Sequence, residues 1–201
     1  MENQQKVWNS IAKLWKKFRV KSIKEVQEFL KNKKGNILDL GCGAGRNFVK
    51  NKGIIYGIDF SKEMLKYAKE SAEKNNVKVK LKRAKATKIP FKDNFFDSAI
   101  YISVLHCIPS EKDREKSLKG LLRVLKPNAE ALITVWSKNH VKLINHPKDS
   151  TIVWKTKTKK IHRYYYLYEK KELLELLENV KFKIISIKED NKNIIAKVQK
   201  T

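Results

Sequence analysis

The chain has 201 residues, 41% of them hydrophobic, which is enough for one folded domain with its own core and excludes general disorder. It carries 46 Lys and Arg against 21 Asp and Glu, and the formal net charge of +25 favours a polyanionic partner, with nucleic acid ahead of a membrane surface, or else a lysine-rich surface that has no such partner. Two cysteines, Cys42 and Cys107, are too few for a disulfide framework or for a zinc site within the chain, and no apolar run has the length of a leader or a membrane span, so we expect a cytoplasmic protein with no metal and no membrane contact.

Apolar residues recur at helical spacing in some segments and form short continuous runs in others. The pattern predicts helices at 7–18, 23–32, 61–74, 110–126 and 169–180, and strands at 36–40, 53–59, 77–84, 96–105, 131–136, 181–189 and 193–199. Residues 137–168 are polar, basic and aromatic and have no clear period. Strands that alternate with helices of this length predict an α/β fold, a doubly wound and mostly parallel seven-stranded sheet with an antiparallel C-terminal hairpin.

The first predicted strand ends in a turn that contains three glycines, in the stretch "ILDLGCGAGRN". Gly41, Gly43 and Gly45 are spaced two apart, so they do not fit the dinucleotide pattern G-x-G-x-x-G, and no Walker lysine follows them. A strand, a glycine-rich turn and a helix nevertheless form the nucleotide-binding corner of doubly wound folds. Asp59 ends the second strand, where a carboxylate can accept hydrogen bonds from both ribose hydroxyls of an adenosine.

Three stretches, "LDLGCGAGRN", "YGIDFSKEML" and "FDSAIYISVLHCI", resemble the first, second and fourth motifs of the Rossmann-like S-adenosylmethionine-dependent methyltransferases. The resemblance implies S-adenosylmethionine as the cofactor, with Asp39 near its amino group and Asp59 at its ribose; the alternative is a glycine turn that binds no ligand. The cofactor site that it implies comprises Asp39, Gly41, Cys42, Gly43, Gly45, Asp59, Phe60, Ala86 and Ser103. The chain is then a single methyltransferase domain over 1–201, with N-terminal helices at 1–34, a cofactor-binding core at 35–136, a substrate-side insertion at 137–168 and a C-terminal helix and hairpin at 169–201.

One position departs from this family's pattern. In "AKATKIPF", Lys85 stands where an aspartate usually contacts the adenine amino group. Lysine has no acceptor for that hydrogen bond. The backbone N–H of Ala86 can still contact the ring, so we expect weakened or altered adenine contacts.

Longer segments resemble one subgroup, the tRNA wobble-uridine carboxyl methyltransferases, which esterify 5-carboxymethyluridine. They are "VWNSIAKLWKKFR", "SVLHCIPSEKDREKSLKGLLRVLKPNAEALITVW" and "HRYYYLYEKKELLELLE". The resemblance implies tRNA as a partner and suggests a small zinc-ribbon activator subunit. Cys107 and Tyr166 stand where that subgroup has histidines, which leaves the acceptor open. Two alternatives remain: a methyltransferase for a small molecule or a protein on the same fold, and a non-catalytic RNA-binding relative, which Lys85 keeps open.

A carboxylate acceptor is already ionised at neutral pH, so the reaction needs a cation to hold the acceptor and no general base. Arginine offers a two-pronged donor for a carboxylate. Arg19 resembles the arginine that ends the N-terminal segment of the subgroup, and it is the favoured anchor; Arg163 is the other candidate. His106 follows the fourth strand, where ligands bind in open α/β sheets, and it either shapes the acceptor pocket or fills it.

The basic residues are clustered. Residues 3–24 and 150–168 contain seven and five Lys or Arg respectively, without one Asp or Glu. Cations beside aromatic side chains suit phosphate contacts and stacking on unpaired bases, although a solvated charged surface is the ordinary alternative. The predicted RNA-binding residues are Lys157, Lys159, Lys160, Arg163, Tyr164 and Tyr165.

Overall fold

The computed structural model describes residues 3–18, 20–155 and 160–201. Its helices are α1 (Gln4–Phe18), α2 (Lys24–Leu30), α3 (Lys62–Asn75), α4 (Glu111–Val124) and α5 (Lys170–Asn179). Its strands are β1 (Lys34–Leu40), β2 (Lys52–Asp59), β3 (Val79–Arg83), β4 (Phe96–Ile102), β5 (Leu125–Trp136), β6 (Asp149–Lys155), β7 (Lys160–Tyr166), β8 (Phe182–Glu189) and β9 (Asn193–Lys200). None of the helices in these ranges is long and apolar enough to cross a bilayer.

The main sheet has seven strands in the order β3-β2-β1-β4-β5-β9-β8. The first five are parallel, and β9 pairs antiparallel with both β5 and β8. Asp190 closes the C-terminal hairpin, because its carboxylate accepts the N–H groups of Lys192 and Asn193. The predicted seven-stranded sheet with an antiparallel C-terminal hairpin is confirmed.

Helices cover both faces of this sheet, because neighbouring residues of the central strands point to opposite sides. On one face Leu118 and Leu121 of α4 and Leu177 of α5 pack with Leu38 of β1. On the other face Val26, Leu30, Ala68 and Ala72 from α2 and α3 pack with Ile37, Ile55 and Ile100. The fold is therefore doubly wound, as the sequence predicts.

The parallel strands bring the carboxyl ends of β1, β2 and β4 to one edge of the sheet. Asp39 of β1 lies opposite Gly57 of β2 and Ile100 of β4. Helix α1 crosses this edge, where Ile11 and Ala12 pack against Met64 of α3. The N-terminal helix is thus part of the wall around the glycine turn and Asp59.

The segment 137–168 is more regular than predicted. Strands β6 and β7 form a separate antiparallel pair, with Thr151 opposite Tyr164 and Val153 opposite His162. Ile161 of β7 packs against the Ile11 cluster of α1, and the N–H of Tyr164 donates to the Gln4 side chain. The sequence predicted no strands in this segment because it has no clear period, and the ribbon is held in part by packing against α1.

Candidate functional site

A cavity of about 500 Å³ opens at the carboxyl ends of β1, β2 and β4. The glycine turn forms the floor of the cavity, and residues at the ends of β2 and β4 form two of its walls. Helix α1 lies across the cavity. The residues that line it are 3–5, 8, 15, 41–44, 46, 47, 58–60, 64, 84–87, 102–104, 107–109 and 113. Such a position is where open α/β sheets bind their ligands.

Gly43 is one of the two glycines of the turn that line this cavity. Its φ is +53°, in the left-handed region, and its N–H donates to Oδ2 of Asp59 at 2.9 Å. A Cβ placed on Gly43 would meet no protein atom within 4 Å. The absence of a side chain at this position therefore keeps open a surface on which a ligand can lie against the backbone.

Gly45 has a different role from the one implied by the resemblance. It does not line the cavity, and a Cβ there would lie 2.7 Å from the ring of Phe48. Gly41 does line the cavity, and its own Cβ would lie 2.4 Å from the side chain of Val104. Gly43 thus leaves a surface open to a ligand, whereas Gly41 and Gly45 allow neighbouring side chains to pack closely against the backbone.

Asp59 lies at the end of β2 with both carboxylate oxygens held by backbone. Oδ1 accepts the N–H of Ser61 at 2.8 Å, and Oδ2 accepts the N–H of Gly43. Burial raises the pKa of Asp59 to about 6, and the two N–H donors oppose the rise. Each carboxylate oxygen has two lone-pair positions, so the side chain can still accept a pair of hydroxyls such as those of a ribose.

Asp39 is fully buried in β1, just behind the glycine turn. No described group donates a hydrogen bond of normal geometry to either of its oxygens. Burial raises the pKa of Asp39 to about 7, and the nearby charge of Arg46 opposes the rise. A buried carboxylate of this kind is stabilised by a cation, and the ammonium group of an amino-acid ligand is one that fits.

The remaining cofactor residues implied by the resemblance line the opposite part of the cavity. Phe60, Ala86 and Ser103 contribute to the wall, together with Lys85. Ser103 has φ +59°, and its N–H donates to Thr134, which fixes the turn after β4. The structure thus brings together Gly41, Cys42, Gly43, Asp59, Phe60, Ala86 and Ser103 on the cavity, with Asp39 behind it and Gly45 away from it.

His106 does not line the cavity, so neither predicted role, shaping the acceptor pocket or filling it, is confirmed. Its side chain is fully buried, and Nδ1 accepts the N–H of Trp136 at 3.1 Å. Its ring stacks on Trp136 at 5.2 Å and lies 5.5 Å from Tyr165. The histidine therefore packs between β5 and β7, while its neighbour Cys107 lines the cavity.

Arg163 lies behind the cavity wall and is only 7% exposed. Its guanidinium lies 5.5 Å from the ring centroid of Trp15 and 4.9 Å from that of Trp154, and it donates to the Tyr165 hydroxyl. Burial raises the pKa of Cys107 to about 12, and the charge of Arg163 opposes that rise. Trp15 and Cys107 both line the cavity, so the guanidinium is close to it; among the described residues no carboxylate forms an ion pair with Arg163.

The two tyrosines predicted to stack on bases are buried. Tyr164 donates its hydroxyl to Asp149 at 3.0 Å, and Tyr165 stacks on Trp136 at 4.3 Å. Because each is 1% exposed, neither offers a ring face to RNA, and this prediction is wrong. Lys160 is exposed at the start of β7. Arg19, Lys157 and Lys159 lie outside the described residues.

Residues that the sequence reading did not assign to the site come mainly from α1. Trp8 and Trp15 line the cavity, although their helical spacing reads as a simple apolar stripe. Arg46 also lines the cavity, and it is close enough to Asp39 for its charge to oppose the rise in the pKa of that carboxyl group. The signal for Arg46 was its position directly after the glycine turn, within the quoted motif.

The chain is similar in sequence to known methyltransferases. Residues 38–133 match the family described as "Methyltransferase domain". The tRNA (carboxymethyluridine(34)-5-O)-methyltransferase of Arabidopsis thaliana is 33% identical over 135 residues, which cover 66% of this chain and 32% of that protein. The 2-phytyl-1,4-naphtoquinone methyltransferase of Nostoc punctiforme is 35% identical over 137 residues, which cover 63% of this chain and 55% of that protein. The chain therefore spans about a third and about half of the lengths of these two relatives.

A solved structure supports the same assignment of the fold. The S-adenosylmethionine-dependent methyltransferase of Methanosarcina mazei superposes with a TM-score of 0.73 at 24% identity, covering 90% of this chain and 98% of that one. Both carboxylates and the open surface of Gly43 fit a nucleoside that carries an amino acid. Residues 38–133 therefore match a methyltransferase domain, the chain has the fold of the S-adenosylmethionine-dependent methyltransferases, and S-adenosylmethionine is its cofactor.

Proposed function

We propose that the chain transfers a methyl group from S-adenosylmethionine to the carboxylate of 5-carboxymethyluridine at the wobble position of tRNA, which forms a methyl ester. One observation carries the proposal: a nearly buried arginine without a carboxylate partner among the described residues lies behind the wall of the donor cavity. The name of the Arabidopsis relative and the net charge of +25 support it.

On the donor side, the residues present suit each part of the cofactor. Asp59 holds the ribose hydroxyls, Asp39 stabilises the ammonium group, and Gly43 lets the cofactor lie against the backbone. When bound, the cofactor supplies an electrophilic methyl group on a sulfonium. The chain's task is then to hold the acceptor in line with that methyl group and to exclude water.

On the acceptor side, no residue has to remove a proton from a carboxylate, since it is ionised at neutral pH. Cys107 fits this chemistry, because a thiol whose pKa is raised to about 12 stays neutral and does not compete for the methyl group. The positive charge of Arg163 stabilises an acceptor anion in this part of the site. Arg19, for which the resemblance implies the same role, remains a second candidate anchor.

A second candidate function is methyl transfer to a small molecule. The Nostoc relative is named for a naphthoquinone acceptor and is 35% identical, so sequence identity alone does not separate the two functions. The clusters of lysine and arginine in residues 3–24 and 150–168 favour RNA over an apolar acceptor.

A small zinc-ribbon subunit belongs to the proposal as a partner that the resemblance implies. We expect it to co-purify with the chain from its own cells. If a tagged chain with full activity purifies without any such subunit, this part of the proposal fails while the rest stands.

The test is a transfer assay with labelled S-adenosylmethionine and two tRNAs that differ only in the wobble base, one with 5-carboxymethyluridine and one with uridine. We expect base-labile label, found by nucleoside mass spectrometry as the methyl ester, on the first tRNA alone. The Asp59→Asn variant is expected to lose the label, because an amide nitrogen cannot accept a ribose hydroxyl. Transfer to a quinone without RNA, with neither tRNA labelled, would establish the small-molecule function instead.

A further inference from the structure

Four aromatic side chains form a continuous row from the cavity to the protein surface. We call this row, Trp8, Trp15, Trp154 and Phe18, the aromatic ridge. The ring centroids of Trp8 and Trp15 are 5.0 Å apart, those of Trp15 and Trp154 are 5.4 Å apart, and those of Phe18 and Trp154 are 5.2 Å apart. Trp8 and Trp15 line the cavity, so the ridge connects the donor site to the outside.

The outer end of the ridge is exposed. Phe18 is 64% exposed, and Leu14, one helical turn earlier on α1, is 42% exposed. Trp154 is partly exposed and meets Phe18 edge to face. Since a large aromatic ring gains free energy when it leaves water, such a surface is typical of a binding site.

The charges around the ridge identify the kind of partner. Lys13, Lys17 and Lys21 are exposed beside Phe18 in sequence, and no acid occurs in residues 3–24. Lys155 of β6 and Lys160 of β7 are exposed and lie opposite each other in the strand register at the end of the ribbon, next to Trp154. Exposed ring faces set among cations provide stacking for bases and contacts for phosphates, which is how proteins hold unpaired nucleic acid.

Arg163 holds the inner part of the ridge in place. Its guanidinium lies over the rings of both Trp15 and Trp154, so α1 and β6 are joined through one cation. A platform fixed in this way loses little conformational entropy when a base stacks on it.

We infer that Phe18 and Trp154 form a stacking platform for unpaired bases next to the acceptor nucleotide, and that Trp15 continues the platform into the cavity. The inference rests on the proposed function for the identity of the acceptor. It gives the base-stacking role to the ridge, in place of the buried Tyr164 and Tyr165.

The test measures the affinity of the full chain for a fluorescently labelled single-stranded RNA of about ten nucleotides, within the site sizes of such proteins. Phe18→Ala is expected to weaken binding about fivefold to 150-fold, the range for loss of one stacked base. Phe18→Trp is expected to retain the affinity. Ile144→Ala is the matched control, because Ile144 is also an exposed apolar side chain, at 54%, and lies outside the ridge.

Equal affinities of Phe18→Ala and Ile144→Ala would overturn the inference, as would an equal loss of affinity for an RNA duplex, which has no unpaired bases to stack. A Phe18→Ala variant that keeps its RNA affinity but loses a co-purifying protein subunit would show a protein interface instead. Binding of S-adenosylmethionine, measured by calorimetry, is expected to stay unchanged in Phe18→Ala. Failure of the proposed function would appear separately, as an unlabelled tRNA in the transfer assay with the unaltered chain.

Discussion

An alanine at Gly43 and an alanine at Gly45 are expected to fail in opposite ways. Both glycines have left-handed φ angles, +53° and +78°, which cost an alanine about 1–2 kcal/mol. At Gly43 the new methyl group meets no protein atom within 4 Å, so the free energy of unfolding falls by this amount alone. At Gly45 it lies 2.7 Å from the Phe48 ring, and overpacking adds about 1–3 kcal/mol.

Cofactor binding reverses the order of the two variants. The Gly43→Ala methyl group projects into the space that the cofactor uses, so its overpacking energy of about 1–3 kcal/mol falls on binding, a loss of affinity of about fivefold to 150-fold. The Gly45→Ala variant, once folded, is expected to bind nearly as well as the unaltered chain.

Urea unfolding and calorimetry with S-adenosylhomocysteine together check both halves. At a ligand concentration of about a hundred times Kd, the ligand stabilises a binding-competent protein by about 2.7 kcal/mol. We expect that increment for Gly45→Ala and a smaller one for Gly43→Ala. A Gly43→Ala variant that binds like the unaltered chain would refute the placement of the cofactor against this turn.

Three further predictions concern the cofactor contacts and the core. Lys85→Asp is expected to tighten cofactor binding about twofold to tenfold, because it restores one hydrogen-bond acceptor on the cavity wall. Lys88→Asp makes the same change of charge on the same loop and is not expected to tighten binding. Calorimetry with the cofactor compares the two variants. Because the folded-state pKa of Asp39 is raised to about 7, its contribution to the free energy of unfolding of the ligand-free chain is fully present below pH 4 and is lost as the pH rises through 7. Urea titrations at several pH values are expected to show a smaller loss of stability with rising pH in Asp39→Asn than in the unaltered chain. An equal loss of stability in the two proteins would contradict the assignment. Leu177→Ala is expected to cost about 2–5 kcal/mol and Leu176→Ala clearly less, since only Leu177 is fully buried; equal midpoints in urea would count against the packing described.

The main sheet could be predicted because its signals are local. The central strands are short apolar runs bounded by glycine or polar residues, and Ser61 caps α3 by accepting the N–H of Met64, as a serine before a helix suggests. The β6–β7 ribbon could not be predicted in the same way. Its inward positions include the polar Ser150, and its outward positions include the apolar Val153, so the alternation in the sequence is weak. The contacts that order the ribbon include those with α1, more than a hundred residues earlier.

The donor side of the site was also accessible from the sequence, and the acceptor side was not. The glycine turn and Asp59 occupy fixed places relative to parallel strands, so a motif and a strand order are enough to bring them together. Whether Tyr164, Tyr165 and His106 face the cavity depends on which side of β7 and of the turn after β4 packs inward. Stacking of His106 and Tyr165 on Trp136 decides this, and no local pattern encodes that contact.

The surroundings of Arg163 connect the two halves of the proposed reaction. Burial of a guanidinium is costly unless charges or aromatic rings compensate, and here the described compensation comes from three rings and one hydroxyl rather than from a carboxylate. Rings stabilise the charge without neutralising it, so its field extends to the cavity wall, where it opposes the rise in the pKa of Cys107. An ion pair at this position would largely cancel the contribution of Arg163 to that field. The aromatic partners therefore keep the arginine buried, rigid and still available to an anionic acceptor, and the same rings continue outward as the surface on which we expect the neighbouring bases to stack.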